Sequence, residues 1–548
     1  MHYIMKNLSK LLTILLIGIL ISSCTKDFDE INKNPKALTL DNLNQASYGF
    51  VVRRAIVGPN YLGDPGTMQL LHSLFFDIYA NYWATTTPNF LSDRYVQVSS
   101  WQNGAFNDHY ANEAPQIKYA EDFARKNNLQ PELAMMKIWK VYVYNRYTDC
   151  LGPIPYSQYG NMQKEVPYDK QEDIYKAFFL ELDTAINILK GMSGQTSATL
   201  SKYDPIYAGN LDKWQKFGSS LRLRLGMRVK YVAPDIAKLQ CEKAVTEGVI
   251  TANADNGWVT TSTDFPNPYN TISPWIEYRM SADMESILKG YLDPRVTTWF
   301  SPALEPDPTD DPVGISFPYE GVRNGQTKND RSAVEFDRIA SDHSKPYTIV
   351  GDKGPNWFVM RASETYFLRA EGVLEGWNMG GGTVEELYNT GIGLSLDECG
   401  FTDHLNLAGE NYITSPRVPM TPGIDKNTVL PAVAPPPAST VPILFNTGGS
   451  KEEQLEQIIT QKWISLFPNS QEAYAERRRT HYPKLYPRIE SENLDVPATS
   501  LPVRLCYWTN EYNTNAKMVN AAIQMLNSES TTPNGDKAST KLWWDKKP

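Results

Sequence analysis

The chain has 548 residues, 41% of them hydrophobic and 21% charged, with a formal net charge of −9. That length supports a large core and more than one conventional domain. The acidic balance repels phosphate backbones and anionic headgroups, which argues against nucleic acid as a partner. Aromatic residues are abundant, with 31 Tyr, 19 Phe and 13 Trp. Tyr and Trp join a flat apolar face to a polar edge, which complements the C–H face and hydroxyl rim of a pyranose ring, although most of them must fill the core.

In chain order, Lys6 and Lys10 lead into the apolar run Leu11–Ile21, which ends at "ISSC" (Ile21–Cys24). A basic start, a short apolar stretch and small residues after it make a secretory signal. The run is shorter than the roughly 20 residues needed to span a bilayer. "ISSC" resembles a bacterial lipobox, so residues 1–23 are expected to be a signal peptide and Cys24 the lipidated mature N-terminus. Residues 24–40 then form a tether, whose "TKDFDE" resembles the surface-export signal of Bacteroidetes lipoproteins. Two or more acyl chains make a durable anchor, where one is marginal.

Beyond residue 40, helix periodicity recurs. Met68, Leu71, Phe75, Ile78 and Tyr82 mark one apolar face, and Ile174, Phe178, Leu182, Ala185 and Leu189 a second. Trp214, Phe217, Leu221, Leu225 and Val229 mark a third, and Tyr366, Ala370, Val373 and Trp377 a fourth. Leu455, Ile458, Ile459, Trp463 and Leu466 mark a fifth, and Asn515–Leu526 reads as a late helix. Strand-like alternation is scarce, so the expected fold class is all-α. Stacked helix pairs fit this pattern, but no repeat of about 34 residues establishes tetratricopeptide units. Loop-rich insertions are expected at residues 253–274, 301–356 and 402–450, long enough to carry function.

The motifs of chemistry are thin. There is no GxSxG elbow, no HExxH and no P-loop, and "MGGGTVEE" at Met379 reads as a helix entry. Cys150, Cys241, Cys399 and Cys506 are widely spaced with no CxxC pair, which suggests buried free thiols rather than a metal site or a stapled scaffold. Asp307, Asp310 and Asp311 do not follow the EF-hand spacing, so no metal and no cofactor are expected.

Several stretches, in order, resemble one known family. They are "YTDCLGPIPYSQYG" (Tyr147–Gly160), "YDKQEDIYKAFFLELDTAI" (Tyr168–Ile186), "WQKFGSSLRLRLGMR" (Trp214–Arg228) and "RASETYFLRAEG" (Arg361–Gly372). "QKWISLFPNSQEAYAERRRTHYP" (Gln461–Pro483), "PVRLCYWTNEYNTN" (Pro502–Asn515) and "LWWD" (Leu542–Asp545) complete the set. Together they resemble the SusD/RagB family of surface lipoproteins, in its SusD-like 2 branch. The resemblance implies a SusD-like α-helical domain over residues 41–548, a tetratricopeptide-like helix-pair superhelix whose loops form a binding face. It also implies outer-membrane localisation facing the cell exterior and a SusC-like TonB-dependent transporter as partner. The implied function is non-catalytic capture of a nutrient, an oligosaccharide or polysaccharide. A peptide-capturing member of the same family is the alternative, ahead of a surface glycoside hydrolase, which would need two carboxylates across a cleft. A pure protein-binding scaffold is disfavoured by the aromatic, Asn-rich loops.

The charged residues of the matched motifs read as structure. Arg224, Arg228, Arg361, Glu364, Arg369, Glu371, Glu472, Glu476 and Arg477–Arg479 are expected to tie helices together by ion pairs rather than to clamp an anionic substrate. Asp149 and the Gly152–Pro155 turn read the same way. Ligand contacts are therefore sought on loops. Asn81, Tyr82 and Trp83 stand at a helix end, with Trp83 as a stacking platform and Asn81 offering both a donor and an acceptor. Trp101 follows closely. Tyr269, Trp275 and Tyr278 form a second candidate group, and Tyr319 lies in a third loop.

Overall fold

The computed structural model describes Met5 and residues 44–161, 163–307, 312–333, 336–343, 351–422 and 435–548. Apart from Met5, the signal lies outside the described residues, as do Cys24, the tether, Asp310 and Asp311. The chain divides into an N-terminal unit, Met1–Tyr48, and a second unit, Gly49–Pro548. In the first, the Asn44 side chain accepts a hydrogen bond from the Ser47 N–H at 3.0 Å. Everything below concerns the second.

The longer helices are α1 (Gln45–Val57, of which residues 49–57 belong to the second unit), α2 (Ser99–Asp108), α3 (Ala114–Lys126), α4 (Gln130–Leu151), α5 (Gln171–Lys190), α6 (Leu211–Arg228) and α7 (Pro234–Glu247). They continue with α8 (Ala282–Tyr291), α9 (Ala362–Leu374), α10 (Val384–Glu398), α11 (Lys451–Leu466), α12 (Ser470–Thr480) and α13 (Ala516–Glu529). Four short strands, β1 (Trp83–Thr85), β2 (Gly257–Val259), β3 (Tyr278–Met280) and β4 (Trp357–Met360), pair as the antiparallel ladders β1–β3 and β2–β4. From α3 to α7 each helix packs on the next, α9 packs on α10 and α11, α11 on α12, and α6 on α9. The chain is thus mainly α, as its periodicity predicts.

Local chemistry sets the helix ends. Ser450 and Thr383 open α11 and α10 with capping boxes, each side chain accepting from the N–H three residues on while Glu453 or Glu386 returns the bond. The glycines of "MGGG" therefore lead into a capped helix. Gly152 closes α4 at φ +87°, and a Cβ there would stand 3.1 Å from Leu526 and Leu542 side-chain carbons. Its turn is structural, as expected.

Most predicted apolar faces are buried. Ile174, Phe178, Leu182, Ala185 and Leu189 on α5 are each 1% exposed or less, and the α11 face is closed throughout. The fourth face is corrected: Tyr366 and Val373 are half-buried, and α9 ends at Leu374, before Trp377. Its inner face carries Phe367, Leu368 and Ala370 together with Glu364 and Glu371. Burial of those carboxylates is offset by the cations facing them.

That compensation joins five helices. Arg224 on α6 grips Glu364 on α9 through Nε and Nη2, both at 2.7 Å. Arg228 reaches Glu472 and Glu476 on α12, each at 2.6 Å, and Asp149 on α4 at 3.1 Å. Lys462 on α11 meets Glu476 at 2.8 Å, and Lys230 meets Glu371 at 2.8 Å. Asp149 also accepts from the Tyr175 hydroxyl at 2.5 Å. These charges are used up inside the protein.

Cys150 and Cys241 are buried, Cys399 and Cys506 half-buried, and all four are free. Among the described residues, no helix is long and apolar enough to cross a membrane.

Candidate functional site

A π-helical stretch, Gln69–Asp77, runs toward β1. Such wide turns recur at functional sites because they re-aim side chains. Here Gln69 donates to Glu277 at 2.6 Å, while His72 and Asp77 point inward. The β1–β3 ladder places Trp83 opposite Met280 and Thr85 opposite Tyr278. This hairpin-like edge gathers most of the sequence-predicted site residues.

The structure closes five of them off from ligand. Asn81 is fully buried; its Nδ2 donates to Asp283 at 2.6 Å, and its Oδ1 accepts from Arg477 at 2.9 Å and Arg488 at 2.8 Å. The buried Tyr82 hydroxyl donates to the Trp463 carbonyl at 2.5 Å. Trp83 is 1% exposed and stacks on His343, centroids 3.8 Å apart. Tyr269 is buried, donating to Asp77 at 3.0 Å, and meets the same His343 ring at 4.8 Å. Tyr278 is buried beside Phe90, 6.0 Å between rings. Packing claims the rings of the four aromatics, and hydrogen bonds to Asp283, Arg477 and Arg488 claim Asn81. Trp101 is half-buried, edge-on to Phe75 and Phe90, and Tyr319 is 8% exposed against Phe317.

Trp275 differs. It is 41% exposed, on the turn Ser273–Trp275 that precedes β3, and Ile276 beside it is 50% exposed. Ile276 holds φ +62°, a left-handed conformation that a β-branched residue adopts only against strain. The surroundings enforce it. Thr86 Oγ1 donates to the Ile276 carbonyl at 2.8 Å, and its N–H to the Glu277 carbonyl at 2.9 Å. Ser273 Oγ donates to Asp342 at 3.1 Å, and Asp342 in turn accepts the Ser301 N–H through its backbone carbonyl at 2.9 Å. Ser301 opens the loop that carries Leu304, itself 77% exposed. The outcome is an outward-facing indole on a turn held at both ends by hydrogen bonds, with exposed Ile276 next to it in the chain.

Beside the β2–β4 ladder lies a cavity of about 330 Å³. His72 lies against it with Ser470 and Asp77. Both Ser470 Oγ and Asp77 Oδ1 approach the same nitrogen, Nε2, at 2.9 and 3.5 Å. A hydrolytic triad needs the serine and the carboxylate on opposite ring nitrogens, so this grouping is not one. Burial holds the His72 pKa down at about 3, with nearby Arg146 adding to it, and pushes Asp77 up to about 7. Both are neutral in mildly acidic water. Among the described residues, no cluster of three His, Cys, Asp or Glu side chains is arranged to hold a metal.

Sequence reading missed the walls of this cavity, Trp258, Trp299, Trp357 and Phe358. They come from three distant segments, and nothing in their local spacing announces a shared wall.

Residues 30–545 match the sequence profile described as SusD-like, the SusD and RagB outer-membrane lipoproteins. A SusD homologue from Bacteroides thetaiotaomicron is 31% identical, with 91% of this chain and 99% of that chain covered at a TM-score of 0.79. A chitin-binding SusD homologue from Flavobacterium johnsoniae is 32% identical, with 91% and 98% covered at 0.77. A homologue from Bacteroides ovatus is 30% identical, with 92% and 99% covered at 0.79. No functionally curated protein matches the chain significantly.

Proposed function

Because the chain belongs to the SusD/RagB family of outer-membrane lipoproteins, we propose that it captures a glycan at the cell surface and delivers it to a SusC-type TonB-dependent transporter. The observation that carries this reading is Trp275, an exposed indole on a turn clamped by Thr86 and Asp342. A fixed aromatic face binds a pyranose ring with little ordering cost, and modest affinity permits release. The chitin-binding relative supports a glycan as the ligand class. Cys24 carries the lipid, and the acidic segment after it leads the domain away from the membrane toward the exterior. Family members bind without catalysis, and the shared-nitrogen arrangement at His72 is in keeping with that.

The test is calorimetric titration of the purified protein against chitooligosaccharides, other oligosaccharides, polysaccharides and peptides, with product analysis by chromatography. Binding of one glycan class that is recovered intact is the expected result. Recovery of cleaved glycan, or binding confined to peptides, would overturn it.

A further inference from the structure

The cavity behind β4 is lined by a guanidinium that no carboxylate among the described residues pairs with at salt-bridge distance. Its volume of about 330 Å³ lies at the lower end of small-ligand sites, about 300–1,000 Å³. Buried Tyr142 and His72 lie on its inner side, and exposed Thr298 and Asn356 mark its mouth. Two guanidinium groups line it. Arg361 is matched: its Nε lies 2.7 Å from Glu398, and the group stacks 3.7 Å from the Phe358 centroid. Arg146 is not.

Arg146 has no carboxylate within salt-bridge range among the described residues. Asp149, one turn further along α4, is engaged by Arg228, Tyr175 and Asn145. Arg146 Nε donates to Gln471 at 2.6 Å and Nη1 to the Pro59 carbonyl at 2.7 Å. The guanidinium lies 5.7 Å from both the Tyr61 and Tyr142 ring centroids, which fixes its position. Nη2 has no partner. His72 beside it is uncharged, so it neither adds to nor cancels the field. A lone, oriented cation with a spare donor, facing indole walls, calls for an anion with a flat apolar face.

We propose that this cavity binds a hexuronic acid, its carboxylate on Arg146 and its ring against the tryptophan wall. The Thr298 hydroxyl and the Asn356 amide at the mouth supply partners for ring hydroxyls. The choice of a sugar rests on the capture reading; the preference for an acid rests on Arg146 alone. The site is separate from the Trp275 turn, so the protein holds an acidic sugar unit apart from the platform.

The experiment is titration of the purified protein, in the Trp275→Ala background, with glucuronic acid, galacturonic acid, glucose and galactose at equal ionic strength, read by calorimetry and tryptophan fluorescence. At least one acid should bind about tenfold or more tighter than its neutral counterpart, the scale of one charge-assisted pair. Arg146→Gln should remove that preference. Asn356→Asp, at an exposed position where the acid keeps the acceptor for the Thr261 N–H, should remove it by repulsion without disturbing the core. Equal binding of acid and neutral sugars, absence of binding by both acids, or a preference that survives both substitutions would overturn the proposal. Binding at Trp275 is scored independently in the Arg146→Gln protein, so loss of one site does not count against the other.

Discussion

Arg479 grips Glu371 with both terminal nitrogens, Nη1 to Oε1 and Nη2 to Oε2, each at 2.7 Å, with both side chains fully buried. The pair joins α12 to α9 and shares Glu476 and Lys230 with the wider lattice. Burial alone would raise the Glu371 pKa, but Arg479 and Lys230 outweigh it and hold it at about 2. Breaking such a pair strands a buried charge, at a cost of about 3–5 kcal/mol. Arg479→Met should lower unfolding free energy by that order in urea denaturation at pH 7. The wild-type advantage over Glu371→Gln should be full above about pH 4.5, where the unfolded carboxylate is ionised, and should fade as pH falls toward 2. A pH-independent difference would show that the charge of Glu371 is not what stabilises the helix joint.

His72 makes the second pH-dependent prediction. Its folded pKa is depressed to about 3 by burial, against about 6.5 in the unfolded chain. Above pH 6.5 both states are neutral and the group is silent. Below it the unfolded state takes up a proton that the folded state refuses, so stability falls with pH until about 3. Asp77 has the opposite sign: its folded pKa of about 7 means that stability is lost as pH rises from about 4 to 7. The two slopes offset in the wild type. Thermal scans from pH 4 to 7 should therefore show His72→Gln losing stability with rising pH more steeply than wild type. Parallel curves would contradict the buried, neutral state of His72.

Trp83 and Trp275 should separate cleanly. Trp83→Ala removes a side chain 1% exposed and stacked on His343, so it should cost about 3–5 kcal/mol of stability. Trp275→Ala removes one 41% exposed and should change stability by no more than about 0.5 kcal/mol. Chemical denaturation of the two variants checks both. A strongly destabilised Trp275→Ala would make that indole a packing residue.

These contrasts show where sequence carries information. The faces of α5 and α11 were legible because apolar residues at helical spacing leave one solution for burial. The α9 face was displaced because Glu364 and Glu371 are buried too, and a hydrophobic period does not register a carboxylate whose partners lie on α6 and α12. The ion pairs of Arg224, Arg228, Arg361 and Arg479 were legible from residue type and spacing, whereas Arg369 and Arg478 donate to backbone carbonyls and Arg477 to a carbonyl and Asn81 instead. The site was not. Trp83 and Trp275 look alike in sequence, with Asn81 two residues before the one and Pro274 directly before the other. What distinguishes them is His343, which comes from a distant segment to cover Trp83 and leaves Trp275 bare. Arg146 was hidden for a similar reason: Asp149, its natural partner on the same helix, is claimed by Arg228 from α6.

The central claim is that this fold presents a rigid aromatic platform for capture. The most direct measurement is side-by-side calorimetry of wild type and Trp275→Ala against the glycan selected by the panel, beginning with chitooligosaccharides. The account predicts a binding isotherm for wild type and an affinity weaker by about tenfold or more in Trp275→Ala, with equal melting temperatures. Unchanged affinity in that variant would contradict it.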